Sequence, residues 1–207
     1  MRLSASDLAC IRGGRQVFRN VSFALDEGAA LVVSGPNGAG KSSLLRLVAG
    51  LIGPSQGRLA LEGGDPELTI GEQSHYLGHQ DALKPALSVH ENLAFWTDFL
   101  RAGDPLGKNP PKEMGALAAV GLDGLARLPA AYLSAGQRRR LSLARVIAVA
   151  RPIWLLDEPT STLDIAAQAI LADLMRAHCA GGGLILAATH GPIGLEGAQE
   201  LRLGARA

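Results

Sequence analysis

The stretch Gly35-Pro36-Asn37-Gly38-Ala39-Gly40-Lys41-Ser42 fits the pattern G-x-x-x-x-G-K-[ST] with no mismatch, and it leaves few choices for the chain around it. An apolar run, Ala30 to Val33, comes before it, and Ser43-Leu-Leu-Arg-Leu-Val-Ala-Gly50 follows. A buried strand must therefore turn sharply into a helix. Gly35, Gly38 and Gly40 let the turning backbone approach a ligand closely and take positive φ. The N–H groups at the helix start, with the positive end of the helix dipole behind them, make a cradle for an anion. Lys41 is expected to reach the β- and γ-phosphates of a nucleoside triphosphate and the Ser42 hydroxyl to ligate Mg²⁺, with Pro36, Asn37, Ala39 and Ser43 completing the loop.

Ile153-Trp-Leu-Leu-Asp157-Glu158 is an apolar strand ending in two carboxylates. Beside a phosphate loop, Asp157 can hold Mg²⁺ through its water shell, which leaves Glu158 to accept a proton from an attacking water.

Bulk properties narrow the field further. A chain of 207 residues suits one domain with a well-buried core, and 47% hydrophobic against 19% charged residues is globular rather than disordered material. Net charge is only +1, so no nucleic-acid partner is expected. Cys10 and Cys179 belong to no C-x-x-C or Cys/His cluster, which argues against a disulfide framework or zinc site and for a reducing compartment. No stretch approaches 18 apolar residues, and Met1 to Cys10 lacks a signal-peptide pattern. The chain is not expected to span a membrane by itself.

In chain order, Met1 to Leu25 predicts two short strands around Gly13-Gly14, and Gly57 to Gly63 an alternating strand, together opening a mixed sheet. Ser74 to His79 predicts a strand ending at Gln80. Ser88-Val-His-Glu91 is a capping box that starts a helix carrying Leu93, Phe95, Trp96, Phe99 and Leu100, with core packing the favoured role for the aromatics over a docking groove. Gly103 to Pro111 breaks this helix, and Lys112 to Val120 predicts another. The α/β pattern then returns with the strand at Ile153, a helix over Leu163 to Cys179 and a buried strand over Leu184 to Ala188. The expectation is one α/β domain, 1–207, with its core over about 1–80 and 151–207 and a helical subdomain over about 81–150.

Leu133-Ser134-Ala135-Gly136-Gln137 admits two uses. Ser134 and Gln137 have capping-box spacing, so they can simply start the helix running to Ala150. Alternatively, Ser134 and Gly136 present a second helix N-terminus to a phosphate.

Here the sequence resembles the ATP-binding cassette (ABC) family, whose signature is L-S-G-G-Q. The other landmarks follow in order: Gln80 matches the Q-loop glutamine, Ser161-Thr-Leu-Asp164 resembles the D-loop, and His190 resembles the switch histidine. The resemblance covers nearly the whole chain and implies an ABC-type P-loop ATPase, a mixed-sheet core with a helical subdomain. It assigns Gln80, Ser134, Gly136, Gln137 and Asp164 to nucleotide binding, Gln80 also to the metal, and His190 to the γ-phosphate. It further implies a homodimer, each ATP lying between the P-loop of one copy and the signature of the other. Ala135 and Arg12 depart from the pattern; Arg12 stands where the family often has an aromatic on adenine.

Tyr76-Leu-Gly-His-Gln80-Asp-Ala-Leu-Lys-Pro85, Leu87 to Leu93, Trp96 and the opening Cys10-Ile-Arg12-Gly narrow the resemblance to the ATP-binding subunits of cytochrome c maturation, the CcmA family. That implies a peripheral subunit on the cytoplasmic face of the bacterial inner membrane, working with integral membrane permease subunits in haem export or in release of a haem chaperone. The alternatives are an ATPase for another ABC transporter and a soluble ABC regulator or scaffold.

Overall fold

The computed structural model describes residues 1–101 and 113–204. The helix break expected over Gly103 to Pro111 and the helix start at Lys112 lie outside them. Eight strands and five α-helices follow in the order β1 (Arg2–Arg12), β2 (Arg15–Asp26), β3 (Ala30–Ser34), α1 (Lys41–Val48), β4 (Gln56–Glu62), β5 (Ser74–Leu77), α2 (Val89–Arg101), α3 (Glu113–Ala119), α4 (Ala135–Ala148), β6 (Ile153–Asp157), α5 (Ile165–Ala180), β7 (Leu184–Ala188) and β8 (Gln199–Arg202) among the described residues. They form two compact units. The first comprises Met1–Gly78, Arg151–Pro159 and the described residues from Leu174 on; the second comprises the described part of His79–Ala150 and Thr160–Asp173.

In the first unit the strands divide by sense. β2, β1 and β4 make an antiparallel sheet in that order, and β5, β6, β7, β3 and β8 make a parallel one. Every residue of β6 and β7 is buried, as continuous apolar strands in a covered parallel sheet require. Leu31 and Val33 of β3, Leu44 and Leu45 of α1, and Leu3 and Leu25 of the antiparallel sheet share one core cluster with Leu155 and Leu186. The first two strands have 11 and 12 residues, longer than the short strands the alternation predicts. Register shifts after Ala5, Leu8 and Cys10, with Asp7 at φ 48°, interrupt that alternation without ending the pairing. β8 escapes sequence prediction because Gln-Glu-Leu-Arg is an edge strand with only Leu201 partly buried.

In the second unit α2, α3 and α4 pack together around Leu93, Leu117, Leu141 and Ala144. The Ser88 capping box forms: Ser88 N donates to Glu91 Oε2 at 2.8 Å and Glu91 N to Ser88 Oγ at 3.2 Å. The aromatics of α2 do not all pack inward, contrary to expectation. Phe95 is 40% and Phe99 63% exposed. Trp96 is half-buried, donating from Nε1 to Ala82 O at 2.9 Å with the Arg145 guanidinium 4.5 Å over its ring. Thr160–Asp173, which the sequence places in the returning core, groups with this unit.

Candidate functional site

α1 begins at Lys41 after an N-cap, Gly40, in left-handed conformation (φ 100°), with Gly35 and Gly38 also at positive φ. No side chain caps this helix, so its first N–H groups are left for a ligand. The close approach is tight: a Cβ on Gly35 would stand 2.4 Å from the Leu203 carbonyl oxygen, and one on Gly40 2.6 Å from Val17 Cγ1. Buried Lys41 donates from Nζ to Gly35 O at 2.9 Å, Pro36 O at 3.4 Å and His190 Nε2 at 2.9 Å. An ammonium has donors only, so His190 Nε2 must accept, which places the ring hydrogen on Nδ1.

β6 brings its two carboxylates to the same place. Asp157 is 3% exposed; its Oδ1 accepts from Ser42 Oγ at 2.9 Å and its Oδ2 from the Tyr76 hydroxyl at 3.4 Å. Burial pushes the Tyr76 phenol above its ordinary pKa, so it remains a neutral donor at neutral pH. Arg46 Nε donates to the same phenol oxygen at 3.2 Å, and this bond is the chief cause that raises the guanidinium's pKa further. Glu158 sits in left-handed backbone (φ 47°), uncommon for a residue with a side chain, and its N–H donates to Ala188 O at 2.8 Å. Its Oε1 lies 3.6 Å from His190 Nε2, a contact that becomes an ion pair only on protonation of the ring. Lys41, Ser42, Asp157, Glu158 and His190 thus converge at the carboxyl ends of β3, β6 and β7, where a parallel α/β sheet presents its ligand site. Tyr76 opens one of the stretches that narrow the resemblance, but no site role was foreseen for it or for Arg46.

The remaining sequence candidates belong to the second unit. Ser134 is the N-cap of α4 and makes the full capping box: Ser134 N donates to Gln137 Oε1 at 2.8 Å and Gln137 N to Ser134 Oγ at 3.2 Å. At Gly136 a Cβ would meet Thr162 O at 3.1 Å, so the D-loop backbone runs close by. Asp164 starts α5, accepting at Oδ1 from Ala167 N at 2.8 Å. Gln80 is exposed, and its neighbour Asp81 is the anchored residue. Ser142 Oγ donates to Asp81 O at 2.9 Å, and Arg139, 2% exposed, pairs with the Asp81 carboxylate at 3.5 Å. The described residues hold no group of three or more His, Cys, Asp or Glu suited to a metal, and none of their helices is long and apolar enough to cross a membrane.

A sequence profile of the family described as ABC transporter matches residues 18–161. The chain belongs to the ABC transporter family. Within it, this ABC ATPase is 62% identical, over the full length of both chains, to the cytochrome c biogenesis ATP-binding export protein CcmA of Nitrobacter winogradskyi. It is 58% identical, again over the whole of both chains, to the protein of that description from Rhodopseudomonas palustris, and 58% identical to that of Bradyrhizobium diazoefficiens over 99% of this chain and 98% of the other. It is therefore a member of the CcmA group. Among solved structures, a putative ABC transporter ATP-binding protein from Pyrococcus furiosus superposes with TM-score 0.81 at 21% identity, covering 98% of each chain. The ATP-binding subunit of another ABC transporter superposes with TM-score 0.83 at 24% identity, covering 98% of this chain and 86% of that one. Both share the ABC fold. The family binds and hydrolyses ATP, and that is this chain's activity.

Proposed function

We propose that this ABC ATPase powers maturation of c-type cytochromes, working as a homodimer on the cytoplasmic face of the bacterial inner membrane with integral membrane permease subunits. The end-to-end similarity to the cytochrome c biogenesis proteins carries this reading. The cargo step is haem export or release of a haem chaperone.

Triphosphate enters at the uncapped start of α1. Lys41, whose three hydrogens now point at Gly35 O, Pro36 O and His190 Nε2, turns them to the β- and γ-phosphates. With Lys41 turned away, His190 can carry its ring hydrogen on Nε2 and donate it to the γ-phosphate. Ser42 Oγ and Asp157 Oδ1, 2.9 Å apart, are hard oxygen donors of the kind Mg²⁺ takes together with phosphate and water oxygens, so this donor set fits the ion. Bound there, Mg²⁺ would neutralise charge on the β- and γ-phosphates. Glu158 takes the proton from the attacking water, its backbone held by Ala188 so that the carboxylate stands beside His190. The start of α4, with Ser134, Gly136 and Gln137, and the D-loop with Asp164 close the site of the opposite copy. A head-to-tail pair with two-fold symmetry then has two shared ATP sites.

The test is a haem stain of covalently attached c-type cytochromes in native cells carrying Glu158→Gln. Loss of the haem-linked bands while the variant protein persists is expected. Unchanged bands would assign the ATPase to a different process.

A further inference from the structure

Tyr76 stands on β5, between Arg46 of α1 and Asp157 at the end of β6. Its phenol oxygen accepts from Arg46 Nε at 3.2 Å and its hydroxyl reaches Asp157 Oδ2 at 3.4 Å. An Arg Nε–H can only donate, so the phenol accepts there and directs its own single hydrogen to the carboxylate. The other carboxylate oxygen accepts from Ser42. Each oxygen of Asp157 is thereby held by a hydroxyl from a different element, and α1 supplies both ends of the arrangement, Ser42 directly and Arg46 one turn later through Tyr76. Swinging the carboxylate about its terminal torsion, which is intrinsically broad, would strain or break one of these contacts. The Tyr76 ring meanwhile packs against the core cluster, so the hydroxyl is carried on a fixed arm.

We propose that Tyr76, set by Arg46, is a positioning residue that fixes the Asp157 carboxylate with Oδ1 turned toward Ser42 and the metal-binding corner. This rests on the reading of Ser42 and Asp157 as the protein's metal-holding groups. Outer groups that orient a metal-binding side chain typically alter metal affinity or activity about 10–100-fold when removed. Tyr76→Phe keeps the ring in the core and removes only the hydroxyl.

The experiment measures the free Mn²⁺ concentration that half-saturates the protein–AMP-PNP complex, from the Mn²⁺ EPR signal, beside AMP-PNP affinity in EDTA and the unfolding temperature. Tyr76→Phe and Arg46→Gln are each expected to raise the half-saturating Mn²⁺ about tenfold while metal-free nucleotide affinity stays within about twofold of wild type. The double variant should bind Mn²⁺ no worse than either single one, because both break one chain of contacts. Unaltered Mn²⁺ binding in Tyr76→Phe overturns the proposal, as does an equal loss of metal-free nucleotide binding, which would mark a general packing role. Additive losses overturn the link through Arg46. Asp157→Asn separates the levels: if it weakens Mn²⁺ binding and Tyr76→Phe does not, the positioning role alone fails, and if it leaves Mn²⁺ binding unchanged the metal reading fails with it.

Discussion

Three glycines of the phosphate loop have positive φ for different surroundings, and the difference predicts a ranking. A Cβ at Gly35 would press on the backbone carbonyl of Leu203 at 2.4 Å, whereas at Gly38 it would meet nothing within 4 Å. Gly38→Ala should therefore cost only the backbone strain of φ 81°, about 1–2 kcal/mol, and Gly35→Ala visibly more, because a carbonyl in the core cannot step aside. Urea unfolding of the two variants checks the order. At Glu158 the expectation concerns rate: Glu158→Gln keeps the shape and ATP binding and lowers hydrolysis about 10²–10⁴-fold, and wild-type turnover in that variant would remove Glu158 from the role of base. These positions were legible because each lies in a stretch whose order and spacing the chemistry dictates. The Lys41–His190 contact was not, since 149 residues separate the partners and only the adjacency of β3 and β7 joins them.

At the level of elements, two capping boxes of equal geometry are predicted to behave differently. Ser88→Ala should cost about 1 kcal/mol of stability and leave ATPase activity unchanged, because Ser88 only starts α2. Ser134→Ala should cost a similar amount and also lower hydrolysis, because α4 closes the opposite ATP site in the proposed dimer. Equal activity in the two variants would reduce Ser134 to a helix start. A pH effect resides in α5. His178 stacks on Trp154 with ring centroids 4.0 Å apart, and burial lowers its pKa, outweighing its contacts with the Pro152 and Leu184 backbone. As pH falls through the unfolded value near 6.5 the unfolded chain takes up a proton that the folded chain resists, so stability drops on the acid side. His178→Asn should flatten that drop in unfolding scans between about pH 7.5 and 5.5. The buried strands were readable because apolar runs have one use in a covered parallel sheet: β7 occupies the expected Leu184 to Ala188. β8 was unreadable because an edge strand need not be apolar, and the lengths of β1 and β2 were hidden by bulges. Phe95 and Phe99 have core spacing, but spacing fixes only which residues share a side of the helix, not whether anything covers it.

For the whole molecule, the proposed dimer carries the next test. In the proposed dimer each triphosphate lies between the P-loop of one copy and the signature helix of the other, and a two-fold pair satisfies both sites at once. If hydrolysis is blocked by Glu158→Gln, light scattering on a sizing column should give a monomer without nucleotide and a dimer with ATP. Adding Ser134→Asp tests what holds the pair together. Asp caps a helix about as well as Ser, so α4 and the fold should keep their stability. In the proposed dimer the added carboxylate would nevertheless face the γ-phosphate of the opposite site, where two like charges repel. The double variant is therefore expected to bind ATP within about twofold of Glu158→Gln alone, unfold at the same temperature and remain a monomer. An ATP-dependent dimer that survives Ser134→Asp would place the α4 N-terminus outside the shared site and leave the pairing of copies to some other surface.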